Sequence, residues 1–148
     1  MRCEVHPSDL RFTQDSIRVT FKAPFDSTRI DDAVDKIISG EWTASTFACI
    51  CVVEVDGVLF SLDNRRLWVF RKAALSNITV KLEKADFCHP RLQAFTDNPG
   101  TLKMMKSESF FPRVRGKVRQ TEWSIPAQDS VFERLLKWMK LMIDRAWS

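Results

Sequence analysis

The feature that most constrains the fold of this chain is a series of short elements that follow one another without interruption in its first half. Residues 47–55 are almost wholly apolar and rich in β-branched side chains, which is typical of a strand buried on both faces. Asp56-Gly57 comes next, and this dipeptide strongly favours a two-residue hairpin turn, so residues 58–62 are predicted to be the returning strand. Directly afterwards apolar side chains recur at helical spacing, which predicts that the hairpin leads into a helix. These side chains are Leu67, Phe70 and Ala74.

The segments on either side of this hairpin complete the predicted core. Residues 9–25 carry apolar side chains at period two and are predicted to be extended, and a helix is predicted from about residue 29 to residue 39, before Gly40. Residues 78–82 alternate apolar and polar side chains, which predicts a further strand. The order of elements therefore predicts an α+β fold, a small mixed β-sheet with flanking helices.

Less regular sequence follows the predicted core. A turn is predicted at residues 97–100 and a short helical turn at 101–106, while residues 113–119 alternate basic and apolar side chains around one glycine. The sequence contains no repeat and no linker rich in Gly, Ser or Pro. We therefore predict a single domain over residues 1–148, with a core at 9–82 and a C-terminal extension at 83–148.

The last predicted element is an amphipathic helix near the C-terminus. Ser130 and Glu133 have the spacing of a capping box, which predicts that the helix begins there. A broad apolar face runs along the helix, and the simplest prediction is that this face packs against the core. Trp138 and Trp147 lie off that face, so they would mark a surface for a partner if they were exposed. The face is formed by Val131, Phe132, Leu135, Leu136, Met139, Met142 and Ile143.

Composition limits the compartment and the partners of the chain. Its 148 residues are enough for a core without disulfide staples, and no apolar run is long enough to span a bilayer, so no membrane partner is expected. The first residues lack the apolar stretch of a signal peptide, which predicts a cytoplasmic or nuclear location. A toxin domain cut from a longer secreted chain would have the same composition. The net charge of +4 permits an anionic partner without requiring one.

The four cysteines have spacings that match neither a small disulfide framework nor a zinc module. Buried free thiols are therefore the preferred interpretation of Cys3, Cys49, Cys51 and Cys88, and no metal ligands are predicted. A zinc site shared with the two histidines is the less favoured alternative.

The residue types at the start of the helix after the hairpin indicate a candidate anion site. A helix N-terminus has unpaired backbone N–H groups and a partial positive charge, and Arg65 and Arg66 add guanidinium groups that match phosphate oxygens. The segment Asp63-Asn64-Arg65-Arg66 is therefore a candidate phosphate cradle. The alternative is that Asp63 caps the helix and that the two arginines are solvated surface charges.

The order of these parts resembles the ParB/sulfiredoxin-like family. In that family an extended segment and a helix precede a strand, a hairpin and a basic motif at the next helix start, and another strand follows. The matching parts here are Arg11–Ile17 (R-F-T-Q-D-S-I), the helix before Gly40, Ile50–Val53, the hairpin at Asp56-Gly57, Asp63–Leu67 (D-N-R-R-L) and Ile78–Val80. The resemblance covers residues 9–82 and is to a divergent branch, found in ParB-like domains of bacterial toxin modules and in uncharacterised eukaryotic proteins.

The resemblance implies where phosphate would bind. The segment Asp63-Asn64-Arg65-Arg66 stands at the place of the family's Gly-Glu-Arg-Arg phosphate turn, and the family's early loop packs beside that turn. The residues implied to bind phosphate are therefore Asn64, Arg65, Arg66, Gln14 and Ser16. Asn64 also stands where sulfiredoxins carry their nucleophilic cysteine, so a reductase is not implied.

Family members that are nucleases or kinases of free serine imply an enzyme acting on a nucleic acid or a nucleotide. Asp63 and Asp15 would be its catalytic carboxylates, with Glu54 also available, and Mg²⁺ would screen the charge of the phosphate during cleavage or transfer. The alternative is a non-catalytic module that binds nucleic acid or protein. The retained arginine pair favours the enzyme, and the replacement of the family's glycine by Asp63 favours the module.

The stretch from Lys103 to Arg119 is strongly basic and contains Phe110 and Phe111. A basic segment with aromatic residues can follow a nucleic-acid backbone and stack on bases. An edge strand whose positive charges oppose aggregation, with both Phe side chains in the core, explains the pattern equally well. The candidate nucleic-acid contacts are Lys103, Lys106, Arg113, Arg115, Lys117 and Arg119.

Overall fold

The computed structural model describes residues 1–22, 28–86, 89–120, 122–123 and 131–146. In chain order its strands are β1 (Arg2–Val5), β2 (Leu10–Arg11), β3 (Ser16–Arg18), β4 (Ile50–Val55), β5 (Val58–Ser61), β6 (Ile78–Glu83) and β7 (Arg113–Arg115). Its α-helices are α1 (Ile30–Ile38), α2 (Asn64–Lys72), α3 (Pro90–Asp97), α4 (Pro99–Met105) and α5 (Val131–Ala146). Within these residues, no helix combines the length and the apolar character that crossing a membrane requires.

Five strands form one mixed sheet in the order β1-β6-β4-β5-β2. β4 lies at its centre, antiparallel to β5 and parallel to β6. β1 extends the sheet at one edge by antiparallel pairing with β6, and β2 extends it at the other edge by parallel pairing with β5. The prediction of an α+β fold with a small mixed sheet and helices is therefore confirmed.

The turn between β4 and β5 has the backbone conformation that its Asp-Gly dipeptide predicts. Asp56 has a φ of 53° and Gly57 a φ of 77°, so both central residues are in the left-handed region that a tight two-residue hairpin requires. Val55 and Val58 form the last pair of the ladder before the turn. Because β5 ends only a few residues before α2 begins, the hairpin also determines where the start of α2 lies.

Both faces of the central strand β4 are buried. Ile50 and Val52 belong to the main core cluster, to which α1 and α2 contribute their apolar faces. Val53 points to the opposite face and belongs to a second cluster with Leu92 of α3 and Met105 of α4. Helices therefore cover the sheet on its two sides, which explains why the sequence of β4 is almost wholly apolar.

β3 and β7 form a separate two-stranded parallel ribbon. Ile17 at its centre is buried, whereas Arg18 and Arg115 are paired across the two strands and are both exposed. Gly116 ends the ribbon with a φ of 123°, and a Cβ at this position would lie 3.0 Å from Cγ1 of Val19. Glycine is therefore the residue that allows β7 to approach the chain after β3 so closely.

The predicted turn at residues 97–100 is instead the junction of two helices. α3 ends at Asp97, and the Oδ1 atom of Asn98 accepts hydrogen bonds from the backbone amides of Gly100 and Thr101. Pro99 begins α4, where its missing N–H costs nothing. Asn98 and Pro99, which predict a turn, therefore form the N-cap and the first residue of α4.

The prediction that α5 packs against the core is wrong for residues 138–146, all of which are exposed. Met139, Met142 and Ile143 of the predicted apolar face have exposed fractions of 43%, 46% and 55%. The physical reason is that α1 to α4 already cover the two faces of the sheet. Ser130 and Trp147, which also entered the prediction, lie outside the described residues.

Candidate functional site

Asp63 precedes α2 at the N-cap position, but its carboxylate does not cap the helix. Its Oδ2 atom accepts a hydrogen bond from the backbone N–H of Cys51 at 2.8 Å, and its Oδ1 atom accepts one from Nη2 of Arg66, also at 2.8 Å. Within the described part of the chain, no side chain accepts a hydrogen bond from the first turn of α2. The helix start therefore keeps backbone N–H groups that can donate to an anion.

Asn64, the first residue of α2, is 2% exposed and uses its side-chain amide inside the protein. Its Oδ1 accepts a hydrogen bond from the backbone N–H of Thr13 at 2.7 Å. Its Nδ2 donates to Oγ1 of Thr13 at 2.9 Å and to Oε1 of Gln14 at 3.2 Å. Because the amide is satisfied in this way, Asn64 positions the loop that carries Gln14, and its backbone N–H is the group left for a phosphate.

Arg65 extends from α2 towards the segment after β3, where its Nη1 donates to the carbonyl oxygen of Thr20 at 2.7 Å. Burial lowers the pKa of its guanidinium, and the positive charges of four other arginines lower that pKa further. These arginines are Arg91, Arg18, Arg66 and Arg115. Arg65 stays charged because a guanidinium is protonated at any ordinary pH, so the positive charge here is concentrated and permanent.

Arg66 connects α2 to the chain before β4. Its Nη1 donates to the carbonyl oxygens of Ala48 at 2.7 Å and Cys49 at 3.3 Å, while its Nη2 binds Asp63. Arg66 therefore has a carboxylate partner, whereas Arg65 has none among the described residues. Of the predicted arginine pair, Arg65 therefore keeps a positive charge that no described carboxylate pairs with, whereas the charge of Arg66 is paired with Asp63.

A concavity of about 330 Å³, here named the α2 pocket, opens beside the helix start. Arg65 and Arg66 line it together with Arg91 from the first turn of α3, and Phe21 and Phe47 form its apolar wall. The other lining residues are Gln14, Lys22, Ala48, Asp63 and Asn64. Most of the lining is therefore polar, with an excess of positive charge.

A second concavity of about 490 Å³, the ribbon pocket, adjoins the first, because Gln14 and Arg91 line both. Asp15 and Ser16 lie in the ribbon pocket, as does Arg115 from β7. The backbone carbonyl of Asp15 accepts a hydrogen bond from the amide that begins β7 at 2.8 Å, while its side chain is exposed. The structure thus distributes the predicted phosphate and catalytic residues over two neighbouring pockets.

A third concavity, of about 410 Å³, is lined by Cys51, Glu83 and His89 and shares Asp63 and Arg91 with the α2 pocket. Burial raises the pKa of the Cys51 thiol, and the negative charges of Glu83 and Asp63 raise it further. A thiolate nucleophile is therefore disfavoured at this position.

The cysteines that the structure describes are unpaired thiols. Cys3, Cys49 and Cys51 are free and only partly buried, and Cys88 lies outside the described residues. Among the residues that the structure describes, no group of three or more His, Cys, Asp and Glu side chains is arranged to bind a metal ion.

The further carboxylate considered for catalysis, Glu54, is exposed on β4 and pairs in the ladder with Leu59.

The basic stretch after α4 is divided between different roles. Lys106 forms a salt bridge with Asp56 at 3.2 Å, and Arg119 forms one with Asp32 at 2.9 Å. Lys103, Arg113 and Lys117 are exposed. Of the six candidates, Arg115 lines the ribbon pocket. The aromatic members of the stretch, Phe110 and Phe111, have ring centroids 6.4 Å and 5.4 Å from that of the buried Phe12, and both are partly buried against the main core cluster.

Two arginines whose positive charges lower the pKa of Arg65 were not predicted as part of the site. Arg91 lies in the first turn of α3, and Arg18 lies on the exposed side of β3. Pro90 is a signal for a helix start, and the period-two pattern of β3 predicts that Arg18 lies opposite Ile17. Neither signal indicates that the charges of these side chains act on Arg65, because that depends on how the elements pack.

Comparison with known proteins gave no family model, no curated protein and no solved structure that matches this chain. The resemblance to the ParB/sulfiredoxin-like family therefore stays a prediction.

Proposed function

We propose that this chain is a ParB/sulfiredoxin-like domain that binds phosphate groups of a nucleotide or a nucleic acid at the start of α2. The observation that carries the proposal is the α2 pocket, in which Arg65 and Arg66 lie beside an uncapped helix N-terminus. Guanidinium groups and helix amides are complementary to phosphate oxygens in charge and in hydrogen-bond geometry.

Unpaired charge in the pocket supports an anionic ligand. Arg65 and Arg91 both line the α2 pocket, and neither forms a salt bridge with a carboxylate in the described part of the chain. Like charges that are partly withdrawn from water repel one another, and a bound phosphate relieves this repulsion. The element order supports the family part of the proposal, because β3, α1, the β4–β5 hairpin, α2 and β6 follow one another as the resemblance requires.

Turnover would need a catalytic carboxylate in addition to the groups that bind phosphate. Asp15 suits this catalytic role better than Asp63. Both carboxylate oxygens of Asp63 accept hydrogen bonds, whereas the side chain of Asp15 is exposed and has no hydrogen bond to other described residues. Mg²⁺ in phosphoryl-transfer sites is commonly bound by one or two carboxylates together with phosphate oxygens, which Asp15 and a bound ligand would provide. The ion would neutralise charge that develops on the phosphate.

The second candidate function is binding without turnover, by a module that keeps the fold for contacts with nucleic acid or protein. It is favoured by one observation, namely that Asp63 and the side chain of Asn64 are engaged in hydrogen bonds within the protein. The binding site is common to both candidates, and catalysis is what distinguishes them.

Binding is tested by titrating a nucleoside triphosphate and a fluorescent single-stranded oligonucleotide into the wild-type protein and the Arg65→Gln variant. Loss of a charge-assisted hydrogen bond predicts a roughly tenfold to hundredfold weaker affinity for the variant. Arg2→Gln is the matched control, because Arg2 is an exposed arginine of β1 that lines neither pocket, and the affinity of this variant should stay within about twofold of wild type. Equal affinity of wild type and Arg65→Gln, with both variants folded by circular dichroism, contradicts the proposal.

Turnover is tested by incubating the same ligands with Mg²⁺ and comparing wild type with Asp15→Asn. Products that form with the wild type and are lost with Asp15→Asn, while binding is retained, support the enzyme. Binding by both proteins without any product supports the non-catalytic module.

A further inference from the structure

We infer that two copies of this chain associate through the β1 edges of their sheets, with β1 pairing antiparallel to the β1 strand of the second copy around Cys3. β1 is the longer of the two edge strands of the five-stranded sheet, with four residues against two in β2. Among the described residues, no strand pairs with β1 on the side away from β6. An open edge of this kind offers backbone N–H and C=O groups to another strand.

The ladder between β1 and β6 determines which backbone groups of β1 face the open edge. The carbonyl oxygen of Met1 accepts a hydrogen bond from the backbone N–H of Leu82 at 2.8 Å, in the antiparallel register of the two strands. Along such a strand the backbone groups of successive residues point alternately towards the neighbouring strand and away from it. Because Met1 points towards β6, Cys3 does so as well, and the backbone groups of Arg2 and Glu4 point to the open edge.

Charge selects one register among those that the outward backbone groups allow. The two-fold centres that bring outward residues of β1 opposite one another are Arg2, Cys3 and Glu4. A centre at Arg2 or at Glu4 places that residue opposite its own copy, and like charges directly opposite one another are destabilising. A centre at Cys3 instead places Arg2 opposite Glu4 of the second copy, and symmetry makes this pair twice. The edge is therefore complementary in charge to a second copy of itself.

The side chains at the edge are available for this pairing. Arg2 and Glu4 are exposed and lie on the same face of β1. Arg2 is directly opposite Lys81 of β6, so two positive charges are neighbours on this face, although Lys81 also contacts Glu83 at 3.6 Å. Glu4 of the second copy would lie on the other side of Arg2 and offset this repulsion. Glu4 accepts a hydrogen bond from Nδ2 of Asn77 at 3.1 Å, and its carboxylate has further lone pairs for a guanidinium.

The paired edges are short, so the dimer is expected to be weak. Two strands of four residues bury less than the roughly 1,000 Å² that a stable interface needs. Arg2 and Glu4 also line a concavity of about 700 Å³ together with Ile37, Trp42 and Leu75, and this apolar surface adjoins the edge and adds area that a second copy can cover. The fraction of dimer should therefore rise with protein concentration. Neither Arg2 nor Glu4 lines the α2 pocket or the ribbon pocket, so the inference is separate from the proposed function.

Sedimentation equilibrium of the full chain at a series of concentrations tests the association. Arg2→Glu and Glu4→Arg each place like charges opposite one another twice, so each should weaken the dimer at least roughly tenfold. The double variant that combines them restores opposite charges and should dimerise within about threefold of wild type. Arg113→Glu reverses an exposed charge in the separate ribbon and should dimerise as the wild type does.

Oxidation with copper phenanthroline tests the register. Centring on Cys3 makes Cys3 and its copy a pair without backbone hydrogen bonds, with Cα atoms about 4.5 Å apart, which is within the range of disulfides. Cys3 is a free thiol, so the wild type should form a disulfide-linked dimer. Cys3→Ser and the two single charge variants should lose this dimer, and the double charge variant should regain it.

Three results would overturn the inference. They are a wild type that is monomeric at every concentration, a dimer that Arg2→Glu and Glu4→Arg leave unchanged, and a double variant that is folded by circular dichroism but fails to dimerise. If the single variants have no effect, loss of the dimer in Leu141→Glu would assign the association to the exposed apolar side chains of α5 instead.

Discussion

At the scale of single residues, the side-chain amide of Asn64 makes the connection between the early loop and the start of α2. Asn64→Ala would leave the backbone N–H of Thr13 buried without its acceptor. We expect the variant to lose about 1–3 kcal/mol of unfolding free energy, measured by urea denaturation. Asn77→Ala is the control, because the amide of Asn77 donates to Glu4 on the surface and should cost no more than about 0.5 kcal/mol. Equal losses for the two variants would show that Asn64 is not needed for the connection.

The stability that the Asp31 carboxylate gives to the protein should depend on pH. Burial by itself raises the pKa of the Asp31 carboxyl, but hydrogen bonds from the Arg119 amide, the Arg29 side chain and the Asp32 amide lower that pKa below its ordinary value. A carboxyl whose folded pKa is lowered stabilises the protein above its unfolded pKa of about 3.9, and this stabilisation is lost as the pH falls through the folded pKa.

Asp31→Asn should therefore be less stable than wild type at pH 7, and the gap should narrow as the pH falls below about 4. The midpoints of urea unfolding at several pH values measure this gap. Asp32→Asn serves as the control, since the Asp32 carboxylate is more exposed, with a fraction of 35%, and its salt bridge with Arg119 is on the surface. A gap for Asp31→Asn that does not change with pH would contradict the role assigned to its charge.

At the scale of elements, α2 and α5 differ in what their apolar side chains contact. Leu67 in α2 is fully buried, whereas Leu141 in α5 is 60% exposed. Leu67→Ala should destabilise the protein by about 2–5 kcal/mol, while Leu141→Ala should change its stability by no more than about 0.5 kcal/mol. Thermal and urea unfolding of the two variants measure the difference. A large loss for Leu141→Ala would mean that α5 packs against the core after all.

The elements that could be predicted are those whose patterns are local. The helix before Gly40 shows its apolar stripe within one segment, and the hairpin shows its turn residues between two apolar runs. β1 was not predicted, because its pairing partner β6 lies at the other end of the core in the sequence. β2 lies within residues 9–25, which were predicted to be extended, but its pairing with β5 was not predicted. The apolar face of α5 indicates amphipathicity correctly, but periodicity does not say which surface covers such a face.

At the scale of the whole molecule, the candidate site is assembled from segments that are far apart in the sequence. The motif at Asp63 to Arg66 could be predicted because a helix start and two arginines are adjacent in the chain. The contribution of Arg91 could not, because it depends on how α3 packs against this region. Arg115 was predicted as a nucleic-acid contact, but its place beside Arg91 depends on the packing of the ribbon. The structural roles of Asp63 and Asn64 could not be predicted either, because each depends on a hydrogen bond with another element, from Cys51 to Asp63 and from Thr13 to Asn64.

Phosphate binding at the start of α2 is tested by titrating the isotopically labelled protein with inorganic phosphate and following the chemical shifts of its backbone amides. Binding at the start of α2 predicts that the largest shifts occur at the backbone amides of Asn64, Arg65 and Arg66, with smaller shifts at Gln14 and Arg91. The Arg65→Gln variant should lose these shifts at the same phosphate concentration. Shifts that are absent from α2, or that occur mainly around exposed basic residues outside the pockets, such as Lys103 and Lys117, would contradict binding at this site.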